Sequence, residues 1–205
     1  MNCYDQMVRK GHSPNAITYT CILKACGQTR AITKGKQIHD EIVTRGGFLD
    51  KNPVLGSALV DMYAKCGMLA KAQDVHNELP ERDVISWNAL ISGYVHQGQA
   101  QEALHCFQGM QREGLSPDNV TIICILKACG EMRALEKGKQ IHETIVNKNL
   151  LCKDIVLGTA LVDMYAKCNM LGQARQVLED LYLRDVVSWS ALISGYIQHG
   201  QCHEA

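Results

Sequence analysis

His39-Asp40-Glu41 and ten cysteines are the first candidates for chemistry in this sequence of 205 residues. A zinc site that hydrolyses a base amine needs H-x-E, whose glutamate moves protons, and a distant P-C-x-x-C that completes the ligand set. No C-x-x-C occurs, and the equivalent segment further on reads His142-Glu143-Thr144. H-E-x-x-H, Walker A and G-x-S-x-G patterns are also absent; Lys34-Gly35-Lys36-Gln37 lacks the glycine-rich lead and the hydroxyl of a phosphate loop. The cysteines are Cys3, Cys21, Cys26, Cys66, Cys106, Cys124, Cys129, Cys152, Cys168 and Cys202. Most lie in apolar stretches such as Ile22-Leu23-Lys24-Ala25-Cys26, where a free thiol behaves as a small buried hydrophobe. With no signal peptide ahead of them, reduced core cysteines in a reducing compartment are expected. The chain reads as a non-enzyme with no catalytic residue, no metal and no cofactor.

Composition narrows the remaining classes. The sequence is 46% hydrophobic, 20% charged and 5% aromatic, with 21 basic and 21 acidic residues balancing to zero. That is too apolar and too neutral for a disordered chain. No window approaches 18 uninterrupted apolar residues, so no membrane span is expected. Neutrality also removes the general electrostatic argument for nucleic-acid binding. Any recognition has to rest on particular side chains.

Self-similarity shows what must position those side chains. Cys21-Ile22-Leu23-Lys24-Ala25-Cys26-Gly27 recurs from Cys124 and Lys34-Gly35-Lys36-Gln37-Ile38-His39 from Lys137, both offset by 103. Ala58-Leu59-Val60-Asp61-Met62-Tyr63-Ala64-Lys65-Cys66 recurs from Ala160, and Asp83-Val84-Ile85-Ser86-Trp87 from Asp185, both offset by 102. Within each cycle the apolar residues follow helical spacing. Trp87, Leu90, Ile91 and Tyr94 share one stripe, and Ala103, Leu104, Phe107 and Met110 form another after the Gln97-Gly98-Gln99 break. Gly114 with Pro117 ends the second helix and Asp118 can cap the next. A pair of such helices cannot bury its apolar faces alone, so neighbours must stack. The expected fold is all-α: a right-handed α-solenoid of stacked antiparallel helix pairs.

These segments resemble the pentatricopeptide-repeat (PPR) proteins, in the plant PLS variant that alternates standard (P), longer (L) and shorter (S) repeats. Residues 83–117 look like a P unit, with Asp-Val-Ile-Ser-Trp-Asn-Ala-Leu-Ile-Ser-Gly-Tyr opening and Glu113-Gly114-Leu115-Ser116-Pro117 closing. Residues 15–51 and 118–153 look like L units, and 52–82 and 154–184 like S units. Residues 1–14 resemble the end of a P unit and 185–205 the start of another, so a stretch of a longer array is expected. Many members with this repeat order end in a zinc deaminase-like domain that converts cytidine to uridine; the present segment has the H-x-E triplet but lacks the P-C-x-x-C half of its motif.

The resemblance implies binding of single-stranded RNA at about one base per repeat, as the recognition module of a mitochondrial or plastid RNA-editing or RNA-processing factor. The fifth residue of each first helix and the closing residue of the repeat would select the base. Asparagine matches a pyrimidine edge and a small hydroxyl residue leaves room for a purine. The pairs are Thr20 with Asn52, Ser57 with Asp83, Asn88 with Asp118, Ile123 with Asp154 and Thr159 with Asp185, followed by Ser190. They imply a ligand of roughly 5′-A-G-U-N-G-purine-3′. In the family the second position stacks on the bases; here it is Ile17, Val54, Ile85, Val120, Val156 and Val187. From residue type alone these six could equally be core.

Plainer readings stand beside each assignment. The aspartates cap helices whether or not they touch a base. Trp87 and Trp189 read as core. Lys24, Lys65, Lys127 and Lys167, taken as equivalent, either approach phosphates or stabilise helix C-termini. The rival to RNA binding is a helical-repeat scaffold for protein–protein interaction, and auxiliary editing proteins are further expected partners of the L and S units.

Overall fold

The computed structural model describes residues 2–45, 52–147, 154–201 and 203–204. The expected unit ends at 51 and 153, together with Cys152, Cys202, Met1 and Ala205, lie outside the described residues. Among those described there are twelve α-helices and no strand. They are α1 (Asn2–Arg9), α2 (Ala16–Thr29), α3 (Ile32–Thr44), α4 (Pro53–Lys65), α5 (Leu69–Glu78), α6 (Val84–His96), α7 (Ala100–Arg112), α8 (Asn119–Glu131), α9 (Leu135–Asn147), α10 (Ile155–Lys167), α11 (Leu171–Asp180) and α12 (Val186–Gln198).

The helices group into two compact units, residues 1–97 with 109–116 and residues 98–108 with 117–205. In the first, the opening helices α2, α4 and α6 pack side by side; α3 lies against α2 and α4, and α5 against α4 and α6. In the second, α8, α10 and α12 form the row, with α9 against α8 and α10 and α11 against α10 and α12. Each unit is thus a stack of helix pairs, the arrangement of an α-solenoid. Burial follows from it. α4, flanked on both sides and backed by two second helices, buries nine of its thirteen residues, whereas α3 buries four of thirteen in a single stripe.

The cycle repeats in detail as well as in outline. Met62 of α4 lies over Gly35 of α3, where a Cβ would come within 2.5 Å of the sulfur; Met164 and Gly138 repeat the contact at the same distance. His39 Nδ1 is hydrogen-bonded to the Tyr63 hydroxyl at 2.9 Å, and His142 Nδ1 to the Tyr165 hydroxyl at 2.9 Å. The histidine of the H-x-E triplet is therefore a buried packing residue, and burial lowers its pKa. Among the described residues the cluster at Glu41 has no counterpart in the second cycle. Glu41 accepts from the Tyr4 and Tyr19 hydroxyls, both at 2.8 Å, and Arg45 lies 3.3 Å from the same carboxylate. Thr144 stands at the equivalent place on α9.

Two expectations are corrected. Cys26, Cys106, Cys124 and Cys129 are buried and Cys66 and Cys168 half-buried, but Cys3 and Cys21 are exposed. Cys21 follows the buried Tyr19 by two positions, which turns it to the outer side of α2. Burial pushes the Cys106 thiol up to about 12 and Cys129 to about 11, so both stay protonated. The two tryptophans also differ. Trp87 is buried, with Gly109 of α7 and Glu113 just after it closing over the ring, while Trp189 is 48% exposed and has no equivalent residues after α12 among those described.

His76 of α5 is fully buried with neither ring nitrogen hydrogen-bonded, its ring set edge-on to Trp87 at 4.3 Å between centroids. Burial, with Arg82 adding to it and Glu113 and Asp83 opposing, lowers its pKa to about 4. Unfolded, it would titrate at about 6.5. Between those values the unfolded chain binds the extra proton. The stability owed to neutral His76 is therefore complete above pH 6.5 and is lost toward pH 4, at about 1.4 kcal/mol per pH unit. Leu178 is the second-cycle equivalent. Thermal unfolding at pH 7.5 and pH 5 should show a smaller drop in Tm for His76→Leu than for the parent chain; an equal drop would place the acid sensitivity elsewhere.

Candidate nucleic-acid interface

Five of the six opening helices start from a side-chain cap. Asp83, Asp118 and Asp185 each accept from the backbone N–H three residues on, at 2.7, 2.9 and 2.8 Å, within reciprocal capping boxes. Asp154 accepts from the N–H groups of Val156 and Leu157. Asn15 caps α2 in the same way, whereas the Asn52 side chain makes no capping bond and Pro53 begins α4 instead. These caps fix where each helix begins. They thereby fix which residues are second, fifth, ninth and thirteenth, four positions that fall on one stripe at about 100° per residue.

The second positions are the clearest finding. Ile17, Val54, Ile85, Val120, Val156 and Val187 are all solvent-exposed, from 53% at Val120 to 74% at Ile17. They are not core. Six aliphatic side chains at one helix position, all turned to water, form a repeated apolar surface that intramolecular packing leaves open.

The fifth positions are more varied. Thr20, Asn88, Ile123 and Thr159 are half-buried, Ser190 is exposed and Ser57 is buried. Ser57 donates to Asp83 Oδ1 at 2.9 Å, so this fifth residue is tied directly to the cap of the next opening helix, α6. Thr159 and Asp185 are not hydrogen-bonded to each other. The hydroxyls of Thr20 and Ser190 instead donate back along their own helices, to the Ala16 carbonyl at 2.9 Å and the Val186 carbonyl at 2.7 Å. Ile123 can make no polar link to Asp154. That link comes from Asn119, four residues earlier on the same face of α8, whose Nδ2 donates to Asp154 Oδ2 at 2.9 Å. Sequence reading passed over Asn119; its signal is the i, i+4 relation to an apolar selector position.

The basic residues need correction. Lys24 and Lys127 are the ninth residues of α2 and α8, while Lys65 and Lys167 are the thirteenth of α4 and α10, so the four are two distinct pairs. Lys65 is paired with Asp61 at 2.7 Å and Lys167 with Asp163 at 2.8 Å, each partner four residues earlier. Lys24 and Lys127 are exposed. In the first unit the ninth and thirteenth positions of α4 and α6 open on one cleft of about 480 Å³, lined among others by Arg30, Asp61, Lys65, Ser92 and His96. Its charges are mixed and partly neutralised. Among the described residues no group of three or more His, Cys, Asp or Glu could hold a metal ion, and no helix is long and apolar enough to cross a membrane.

A stack of capped helix pairs with one exposed stripe per repeat defines a helical-repeat protein, and comparison with known families names it. The PPR repeat family pattern matches residues 82–131, and the PPR repeat pattern matches 17–47, 57–84 and 187–205. The chain belongs to the pentatricopeptide-repeat family. It is 39% identical over 97% of its length to the pentatricopeptide repeat-containing protein At4g18520, chloroplastic, of Arabidopsis thaliana. It is 38% identical over 98% of its length to At3g24000, mitochondrial, of the same plant. The chain covers 32% and 31% of these relatives, about a third of their length. Among solved structures it resembles the maize pentatricopeptide repeat protein PPR10, at TM-score 0.75 and 20% identity, covering 98% of this chain and 29% of that one. PPR10 in complex with an 18-nt psaJ RNA element matches at TM-score 0.63 and 19% identity, covering 98% of this chain and 35% of that one. The likeness to PPR10 is one of fold.

The caps and the exposed stripe predict opposite stability effects. Asp83→Ala removes a helix cap and the acceptor of Ser57 and should cost about 1–2 kcal/mol in chemical denaturation. Val120→Ala, at an exposed site, should change stability by less than about 0.5 kcal/mol. A large loss for Val120→Ala would return that side chain to the core.

Proposed function

We propose that the chain is a sequence-selective module for single-stranded RNA, reading about one base per repeat. The observation that carries this reading is the exposure of all six second-position aliphatic residues beside the fifth-position selectors. An apolar side chain on either side of a base can hold it by its face, and the polar residue one turn on meets its edge. This arrangement suits a chain with few aromatic residues and no net charge. PPR10, whose fold this chain shares, is solved in complex with an RNA element, which supports the same ligand class here.

The repeats are taken as L, S, P, L, S units at 15–51, 52–82, 83–117, 118–153 and 154–184, flanked by parts of P units at 1–14 and 185–205. With Thr20/Asn52 for adenine, Ser57/Asp83 for guanine, Asn88/Asp118 for uracil, Ile123/Asp154 without preference, Thr159/Asp185 for guanine and Ser190 for a purine, the target is roughly 5′-A-G-U-N-G-purine-3′. The order of unit types and the chloroplastic and mitochondrial relatives support work in an organelle, in RNA editing or processing, with auxiliary proteins as further partners. Paired lysines leave few free cations on the stripe, so a shallow salt dependence is expected.

Fluorescence anisotropy with labelled hexanucleotides tests the assignment. The parent chain should prefer uracil at the third base, and Asn88→Thr should shift that preference toward a purine by roughly tenfold, about 1.4 kcal/mol. Val120→Ala should weaken binding by about 1 kcal/mol without loss of fold. An unchanged preference in Asn88→Thr sinks the selector assignment, and no binding to any oligonucleotide favours the protein scaffold.

A further inference from the structure

Two exceptions to the repeat pattern fall on one opening helix. The fifth residues are Thr20, Ser57, Asn88, Ile123, Thr159 and Ser190, and among them only Ile123 of α8 is apolar. The first residues are Ala16, Pro53, Val84, Asn119, Ile155 and Val186, and among them only Asn119, also of α8, is polar. First and fifth residues lie one turn apart on the same helix face. The helix without a polar fifth residue is thus the one that carries a polar first residue.

The Asn119 amide is anchored as a fifth residue is anchored elsewhere. In the first unit the Ser57 hydroxyl donates to Asp83, the cap of α6. In the second, Asn119 Nδ2 donates at 2.9 Å to Oδ2 of Asp154, the cap of α10. Asp154 Oδ1 accepts from the backbone N–H groups of Val156 and Leu157, so each oxygen of this carboxylate already has a partner. The bond to Asp154 uses one N–H of the amide. Its second N–H and Oδ1 stand side by side, a donor next to an acceptor. Asn119 is half-buried, with the exposed Val120 beside it and the half-buried Ile123 one turn on.

We infer that Asn119 selects the base of this repeat in place of Ile123, and that the fourth base is a pyrimidine. This assignment rests on the RNA reading of the chain. A donor beside an acceptor matches N3–H and a carbonyl of uracil, or N3 and the amino group of cytosine. Purine edges carry similar pairs, so size decides between the two classes. Ile123 fills the room that threonine or serine leaves at the fifth position, and the larger ring is kept out. Ile123 and Asp154 by themselves offer a base no free polar group; the amide supplies one and leaves the stacking residue Val120 in place.

Competition binding of the full chain to 5′-A-G-U-X-G-A-3′, with X each base in turn and the third base varied in parallel, tests this. Pyrimidines at X should bind roughly fivefold more tightly than purines, about the worth of one hydrogen bond. Asn119→Val should lower the affinity for the pyrimidine hexamers by that factor and leave the purine ones unchanged. The third-base uracil preference, set by Asn88 on another helix, should persist in this variant and report an intact fold. Asn119→Val combined with Ile123→Asn, the layout of Val84 and Asn88 on α6, should bring the pyrimidine affinity back. A parent chain that discriminates at the third base but not at the fourth overturns this inference alone, as does a pyrimidine affinity unchanged by Asn119→Val. A chain that binds none of the hexamers overturns the RNA reading and this inference with it.

Discussion

Everything in this structure depends on the fact that a helix of ten to fourteen residues, paired with one other, leaves apolar surface uncovered. Burial of that surface is the main favourable contribution to folding, so each opening helix has to lie between two others of its kind. α4 lies between α2 and α6, and α10 between α8 and α12. Flanking neighbours and the second helices behind occupy all but one side of an opening helix. The side left over is the stripe that carries the second and fifth positions. The surface available for recognition is thus what the stacking requirement leaves unused.

The caps connect that stacking to chemistry. An aspartate is favoured before each opening helix because free N–H groups there need an acceptor. Its carboxylate has capacity beyond one bond, and the repeats use the surplus differently. Asp83 takes the Ser57 hydroxyl of the preceding repeat, while Asp154 takes the Asn119 amide. A residue required by helix formation in one repeat therefore orients, or leaves free, the polar side chain of the repeat before it.

The fold was largely legible because self-similarity and helical spacing are local patterns that survive without any knowledge of contacts. Caps were legible for the same reason. The second-position residues were not, since valine and isoleucine look alike in a core and on an open stripe; only the position of the helix start relative to its neighbours decides. The lysines misled because recurrence of residue type stood in for helix register. The difference between Trp87 and Trp189 arises from the next helix, since Gly109 and Glu113 at the end of α7 close over Trp87. The meeting of Tyr4 and Tyr19 on Glu41 joins residues separated by up to 37 positions, and no spacing rule reaches across that distance. Left-handed backbone at Arg30 and Arg133, which ends α2 and α8 without glycine, was equally invisible.

The carboxylate of Glu41 has a further consequence for folding. Two cycles this alike can exchange parts while the chain collapses, and misassembly of near-identical repeats is a characteristic trap. Swapping α10 for α4 would preserve the sulfur over the glycine and the histidine–tyrosine bond, and so would carry little penalty. Swapping α9 for α3 would replace the carboxylate shared by the Tyr4 and Tyr19 hydroxyls with the smaller, uncharged Thr144. The cluster at Glu41 thus distinguishes α3 from α9, two helices that otherwise share the Lys-Gly-Lys-Gln-Ile-His segment.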